Sequence, residues 1–123
     1  MSEHTAIVRT ERQHKVVKSW GFEIWIANSP MYCGKMLAIQ SGKHTSMHFH
    51  VKKHEHIFVH SGTLILTLIE DKITTEHILQ SGDSIYVTPG LVHRLEAPAG
   101  QIGLTVLYEF STEHFDSDSH RIS

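Results

Sequence analysis

The sequence predicts an all-β fold, a sandwich or a barrel built from many short strands. Runs of β-branched, aromatic or aliphatic residues have the length of single strands, and turn signals separate them every 8 to 20 residues. No stretch shows a convincing 3.6-residue periodicity, and no repeat or low-complexity segment occurs. With 123 residues the chain has the size of one domain.

The strands that this pattern predicts are residues 36–39, 57–59, 63–69, 85–87 and 104–110. Turns separate them at residues 41–43, 61–62, 70–72, 81–83, 89–90 and 98–100. We therefore expect one barrel domain over residues 18–110. Residues 1–17 are polar and are predicted to be a loose arm or an edge strand, and residues 111–123 a polar tail.

Composition limits the classes of partner. The formal net charge is -2 without a basic block, which argues against nucleic acid and against an anionic membrane surface. No apolar run reaches the ~20 residues of a membrane helix, and residues 1–5 lack the features of a signal peptide. The single cysteine, Cys33, cannot form an intrachain disulfide, so we expect a cytoplasmic protein.

Histidines are unusually frequent. The chain has 12, of which six fall within seventeen residues: His44, His48, His50, His54, His56 and His60. In a strand, residues two apart point to the same face, so His48 and His50 project together. Glu55 follows after four residues, and His93 comes from a later strand.

These four residues are predicted to bind one metal ion. Three imidazoles and one carboxylate suit a divalent Zn, Mn, Fe, Co or Ni and leave room for water or substrate. The alternative is four polar residues on a solvated face. His54 and His56 alternate with Glu55, so they should point away from the metal, and with His60 and His77 they are interpreted as surface or interface residues.

The spacing resembles the two motifs of the cupins. Gly42, five residues, His48-Phe49-His50, four residues, Glu55, six residues and Gly62 match every position of the first motif. Gly82, Pro89-Gly90 and His93 match the second, with Thr88 and Ala97 in place of its Pro and Asn. The resemblance implies a jelly-roll barrel (a double-stranded β-helix) with the metal inside, and commonly a dimer. The polar arm 1–17 could then add a strand across a two-fold axis.

Both ends of the chain resemble phosphomannose-isomerase-like cupins. The matching segments are Lys18-Ser19-Trp20-Gly21-Phe22-Glu23, residues 32–37, and Glu109-Phe110-Ser111-Thr112-Glu113-His114 with Arg121 beyond it. This resemblance implies a link to sugar-phosphate or nucleotide-sugar metabolism. The structural alternative is that Trp20-Gly21 only caps the barrel.

Several side chains could act on a substrate beside the metal. The candidate catalytic residues are His44, which shares strand parity with His48, together with Lys53 and Tyr86. Glu23 is a further candidate base, and Lys53, Lys35 or Arg94 could hold a phosphate. A divalent ion with one Glu ligand keeps a net positive charge, so the substrate is expected to be polyhydroxylated and anionic.

Three functions are compatible with the sequence. The first is an isomerase or epimerase that acts on a sugar, a sugar phosphate or a nucleotide sugar, which the end motifs favour. The second is an Fe- or Mn-dependent dioxygenase, because an open metal with three His and one Glu allows it. The third is a sugar- or metal-binding module without turnover.

Overall fold

Two antiparallel β-sheets make up the domain in a computed structural model that describes residues 10–122. The six-stranded sheet has the order β1-β2-β3-β10-β5-β8, and the five-stranded sheet has the order β11-β4-β9-β6-β7. In chain order the strands are β1 His14–Lys18, β2 Gly21–Asn28, β3 Cys33–Ile39, β4 His48–His50, β5 Glu55–Ser61, β6 Leu64–Glu70, β7 Ile73–Leu79, β8 Ser84–Val87, β9 Val92–Glu96, β10 Thr105–Ser111 and β11 Ser119–Arg121. A short 3-10 helix, Asp116–Asp118, precedes the last strand. No helix within residues 10–122 is long and apolar enough to cross a membrane.

The core lies between the sheets because the strands alternate. In β5, Glu55, Ile57 and Val59 are buried while His56 and His60 are exposed, which is the parity that the sequence predicted. Fully buried aliphatic side chains come from both sheets: Ile39, Ile57, Val59 and Leu107 from one, and Leu64, Leu66 and Leu95 from the other. The strands missing from the prediction include β7, whose side chains are exposed from Ile73 to Ile78 and so show no apolar alternation.

The sheets begin before residue 18 and continue beyond residue 110. Residues 14–18 form β1, which pairs with β2 at the edge of the six-stranded sheet. In the segment expected to be a polar tail, β11 pairs with β4, the strand that carries His48 and His50. Residues 1–9 of the expected arm lie outside the described residues. A homodimer stays a prediction, which light scattering of the full chain would test.

Two motif glycines share a left-handed backbone but differ in surroundings. Gly62 has φ of 79°, and a Cβ there would lie 2.9 Å from the Leu104 carbonyl oxygen and 2.9 Å from Thr105 Oγ1. Gly82 has φ of 94° and has no heavy atom within 4 Å of such a Cβ. Both positions therefore disfavour a side chain, but only Gly62 also lacks space for one.

We expect Gly62→Ala to destabilise the protein more than Gly82→Ala. The left-handed backbone costs a non-glycine residue about 1–2 kcal/mol at either site, and overpacking against β10 adds about 1–3 kcal/mol at Gly62 alone. Urea unfolding of both variants, prepared without metal, measures the difference. Equal losses would show that the close approach of Leu104 and Thr105 is not a constraint.

Candidate metal centre

The four predicted metal ligands meet between the sheets. His48 and His50 lie on β4 and His93 on β9, and the Cα atoms of His48 and His93 are paired across these strands. One ring nitrogen of each histidine lies within 4.8 Å of the others, so these three could hold a metal ion. Glu55 begins β5 on the opposite sheet, and its Oε1 lies 3.2 Å from His93 Nε2.

Backbone carbonyls orient all three imidazoles. Each Nδ1 lies within hydrogen-bond distance of a carbonyl oxygen, which can only accept, so Nδ1 carries the proton and the Nε2 lone pair is free for a metal. The acceptors are Ser46 O (2.8 Å, from His48), Asp118 O (3.0 Å, from His50) and Leu91 O (2.9 Å, from His93). Burial lowers the pKa of His48 and of His50 to about 4, with smaller contributions from His93 and Lys53, so both stay neutral at pH 7.

Buried acceptors without donors mark the centre. Both carboxylate oxygens of Glu55 and Nε2 of His93 are buried. Oε2 of Glu55 lies 3.2 Å from the Lys53 ammonium, whereas Oε1 of Glu55 and Nε2 of His93 have no hydrogen-bond partner in the described part of the chain. Nε2 of His93 lies 3.2 Å from Oε1 of Glu55. At this distance the Nε2 lone pair and the carboxylate repel each other unless a cation lies there. That cation is either a second proton on His93 or a metal ion. Burial lowers the pKa of His93, but the Glu55 carboxylate raises it by more, which favours the proton at this place when metal is absent.

The donor set fits a divalent transition metal. Three imidazoles and one carboxylate converge, and each ring is held by a hydrogen bond of its other nitrogen. Burial raises the pKa of Glu55, but His93 and Lys53 lower it by more, so the carboxylate is ionised. Lys53 Nζ lies 3.2 Å from Glu55 Oε2 and orients that side chain.

A cavity of about 550 Å³ lies against the centre. His48 and His50 border it, while Glu55 and His93 lie behind them with 1% and 0% exposure. Its buried charged lining consists of Glu23, Lys35, Lys53 and Glu109, and its exposed basic lining consists of Lys18, His44 and Arg121. The volume lies within the range of small-molecule sites.

The candidate catalytic residues have different places. His44 is exposed at the cavity, and its Nδ1 donates to Thr45 O at 2.7 Å. Lys53 is buried and borders the cavity, and its Nζ contacts Glu55, Glu109 and His114 at 3.2, 3.9 and 3.2 Å.

Tyr86 does not belong to the site. It pairs with His56 in the β5–β8 register, so it shares the outer face of the sheet, where its ring stacks on those of His54 and His56. It is 45% exposed, and its hydroxyl bonds to His54. Its neighbour Val87, paired with Glu55, points inward instead. The expectation that Tyr86 acts on a substrate was therefore wrong, because strand parity turns it outward.

Other basic residues are also placed by their contacts. Arg94 follows the buried His93 on β9, so its side chain points to the opposite face of the sheet, away from the cavity. Its Nη2 lies 3.5 Å from Glu96 Oε1. Arg94 therefore cannot hold a phosphate in the cavity. Lys35 borders the cavity, but its ammonium lies 3.8 Å from Glu23 and 4.3 Å above the ring of Trp25. The side chains of His54, His56, His60 and His77 are exposed, as predicted.

The sequence did not reveal Asp118. Its buried carboxylate accepts hydrogen bonds from the backbone N–H groups of Val51, Lys52 and Lys53, and its carbonyl oxygen accepts from His50. Asp118 thus joins the last segment of the chain to the turn between β4 and β5. An aspartate in a polar stretch, 65 to 68 residues from its partners, carries no local signal of such a role.

The family follows from the comparison with known proteins. The model of the mannose-6-phosphate isomerase C-terminal family matches residues 6–122. This chain belongs to that family. Among curated relatives, mannose-1-phosphate guanylyltransferase of Sinorhizobium fredii (strain NBRC 101917 / NGR234) is 34% identical over 105 residues. That match covers 85% of this chain but only 19% of the guanylyltransferase.

Solved structures confirm the cupin jelly-roll fold of this member of the mannose-6-phosphate isomerase C-terminal family. The capsular polysaccharide assembling protein CapF of Staphylococcus aureus superposes with a TM-score of 0.80 at 16% identity, over 93% of this chain and 35% of CapF. Oxalate decarboxylase of Lactobacillus farciminis superposes with a TM-score of 0.79 at 15% identity, over 98% of this chain and 38% of the decarboxylase. At these identities the likeness concerns the fold alone.

Proposed function

We propose that the chain is a metal-dependent isomerase or epimerase of a sugar phosphate or a nucleotide sugar, with the metal bound by His48, His50, Glu55 and His93. The observation that supports it most is the convergence of two buried acceptors, His93 Nε2 and Glu55 Oε1, beside a polar cavity. Family membership supports a sugar-phosphate substrate. When bound, the metal would supply Lewis-acid polarisation of a substrate oxygen.

The charges around the cavity favour an anionic substrate. The buried side chains Lys35 and Lys53 balance Glu23 and Glu109, so these four sum to zero when all are ionised. A divalent ion on three neutral imidazoles and the Glu55 carboxylate then leaves one net positive charge. At the part of the cavity nearest solvent, exposed Lys18 and Arg121 add two cations and exposed Asp116 adds one anion. The net charge there is positive, and a phosphate would avoid full desolvation.

Sugar phosphates are expected to stabilise the metal-loaded protein and not the metal-free protein. A ligand at 100 times its dissociation constant adds ~2.7 kcal/mol to the free energy of unfolding, which a thermal melt detects. Mannose 6-phosphate, fructose 6-phosphate and a nucleotide sugar serve as probes. Glucose and inorganic phosphate, tested separately, distinguish recognition of the sugar from recognition of the anion. Lys53→Ala is expected to reduce the shift, because it removes a cation at the cavity.

The Fe- or Mn-dependent dioxygenase is the second candidate, since three His and one Glu leave positions on the metal for O₂. Oxygen consumption by the Fe(II)-loaded protein with a small aromatic or diketone, combined with no stabilisation by any sugar compound, would replace the isomerase proposal. Stabilisation by a sugar without conversion would instead favour a binding module.

A further inference from the structure

One carboxylate in the cavity lining lacks the partners that hold the other charged groups. Lys53 contacts three acceptors, and Glu23 accepts a hydrogen bond from Trp25 Nε1 at 2.7 Å. Lys35 lies between Glu23 and the ring of Trp25. These contacts give Glu23, Lys35 and Lys53 fixed positions in the wall of the cavity.

Glu109 differs from them. It follows Thr105 and Leu107 on the inward face of β10, and its side chain is 10% exposed, toward the cavity that it borders. Within residues 10–122 its carboxylate accepts no hydrogen bond. Its ion pair with Lys53 is long, with 3.9 Å between Glu109 Oε2 and Lys53 Nζ. A carboxylate this buried, with free lone pairs beside a cavity, is available to a ligand.

We propose that Glu109 is the catalytic base that moves a proton between adjacent carbons of the sugar. This inference rests on the proposed isomerase function and deepens it. The Glu109 carboxylate takes the proton from C2 of the aldose, and the electron pair of the C2–H bond forms the C1–C2 double bond of an enediolate. The O2 proton passes to O1. The O2 anion then forms the C2 carbonyl, and C1 takes the proton back from the Glu109 carboxyl, so no other reactant is consumed.

The charges that face Glu109 suit a group that both takes and returns a proton. Lys35 lies on β3, Glu23 on β2 and Glu55 on β5. Lys53 lies in the turn before β5, and His114 follows β10. Burial and Glu55 raise the pKa of Glu109, and Lys53 and Lys35 oppose them, so that it lies at about 7. Proton transfer is most efficient when the pKa of the base lies near the working pH.

The test compares Glu109→Gln with wild type and with Glu76→Gln, which lies on the exposed strand β7. The metal-loaded proteins are incubated with fructose 6-phosphate or mannose 6-phosphate in D₂O, and NMR follows deuterium entering at C1 or C2. We expect Glu109→Gln to keep its metal content and the thermal shift with these sugars while exchange falls about 100-fold or more. Glu109→Asp should recover part of the rate. The kcat/KM of wild type should fall at low pH, because a protonated Glu109 cannot take a proton.

The other possible outcomes distinguish failure of the Glu109 proposal from failure of the isomerase proposal. If Glu109→Gln exchanges at the wild-type rate, Glu109 is not the base, although the isomerase function stands. If both Glu109→Gln and Glu109→Asp lose the metal or the sugar-dependent shift, the role of Glu109 is structural and the inference is overturned. If wild type binds the sugars without exchange, or binds none of them, the isomerase function fails first and the role of Glu109 fails with it.

Discussion

Replacing His48 and His50 together by alanine is expected to abolish metal binding. The wild-type chain should retain about one divalent ion after dialysis, because its Nε2 atoms are aimed by hydrogen bonds from Nδ1 to Ser46 O and Asp118 O. The double substitution removes two of four proposed ligands and leaves only Glu55 and His93 to face each other. Elemental analysis of the dialysed proteins measures the loss directly.

The chain contains a matched control. His54 and His56 have the same spacing as His48 and His50, but both are exposed on the outer face and stack on Tyr86. The variant His54→Ala/His56→Ala should therefore keep its metal, and both double variants should keep the circular dichroism of a β protein. Full metal retention in His48→Ala/His50→Ala, or equal loss in the two double variants, would contradict the proposed centre.

Asp118→Ala is expected to destabilise the fold and to weaken metal binding together. Its carboxylate accepts three backbone N–H groups of the turn between β4 and β5, at 2.9 to 3.1 Å, and that turn separates His50 from Glu55. Leaving buried donors unpaired costs about 1–3 kcal/mol for each group that water does not reach, so we expect a loss of about 3 kcal/mol. Urea unfolding without metal, and metal titration of the folded variant, give the two readouts.

The pH dependence of this loss has a defined sign. Burial raises the pKa of Asp118, but hydrogen bonds from Val51, Lys52 and Lys53 lower it by more, so its pKa lies below the ordinary value of 3.8. A carboxyl with a lowered pKa stabilises the fold above its unfolded pKa, and this stabilisation disappears as pH falls through the folded pKa. Wild type and Asp118→Ala should therefore approach each other in stability below about pH 4.

Asp116→Ala provides the comparison for Asp118→Ala. The Asp116 side chain is 86% exposed, and within residues 10–122 it pairs with His114 alone, at 2.9 Å. Its removal should therefore cost less than about 1 kcal/mol and leave metal affinity unchanged. Should both substitutions have the same small effect, the turn between β4 and β5 is held by other contacts and Asp118 has no special role.

The sequence by itself determined the fold class and the proposed metal ligands. Period-two alternation places His48 beside His50 and puts Glu55, Ile57 and Val59 on one buried face. Glycines such as Gly62 mark turns with a left-handed backbone. Both signals are local, because side-chain parity and backbone conformation depend on neighbouring residues. That is why Glu55 could be placed on the inner face before the position of its strand was known.

Only the tertiary structure decided which residues surround the proposed metal. Tyr86 faces outward because β8 pairs with β5 in the register that opposes Tyr86 to His56, and a shift by one residue would have turned it inward. Glu109 reaches the cavity because β10 lies between β3 and β5, and Asp118 reaches His50 because β11 pairs with β4. These contacts depend on the register and order of strands far apart in the chain, which no local pattern specifies.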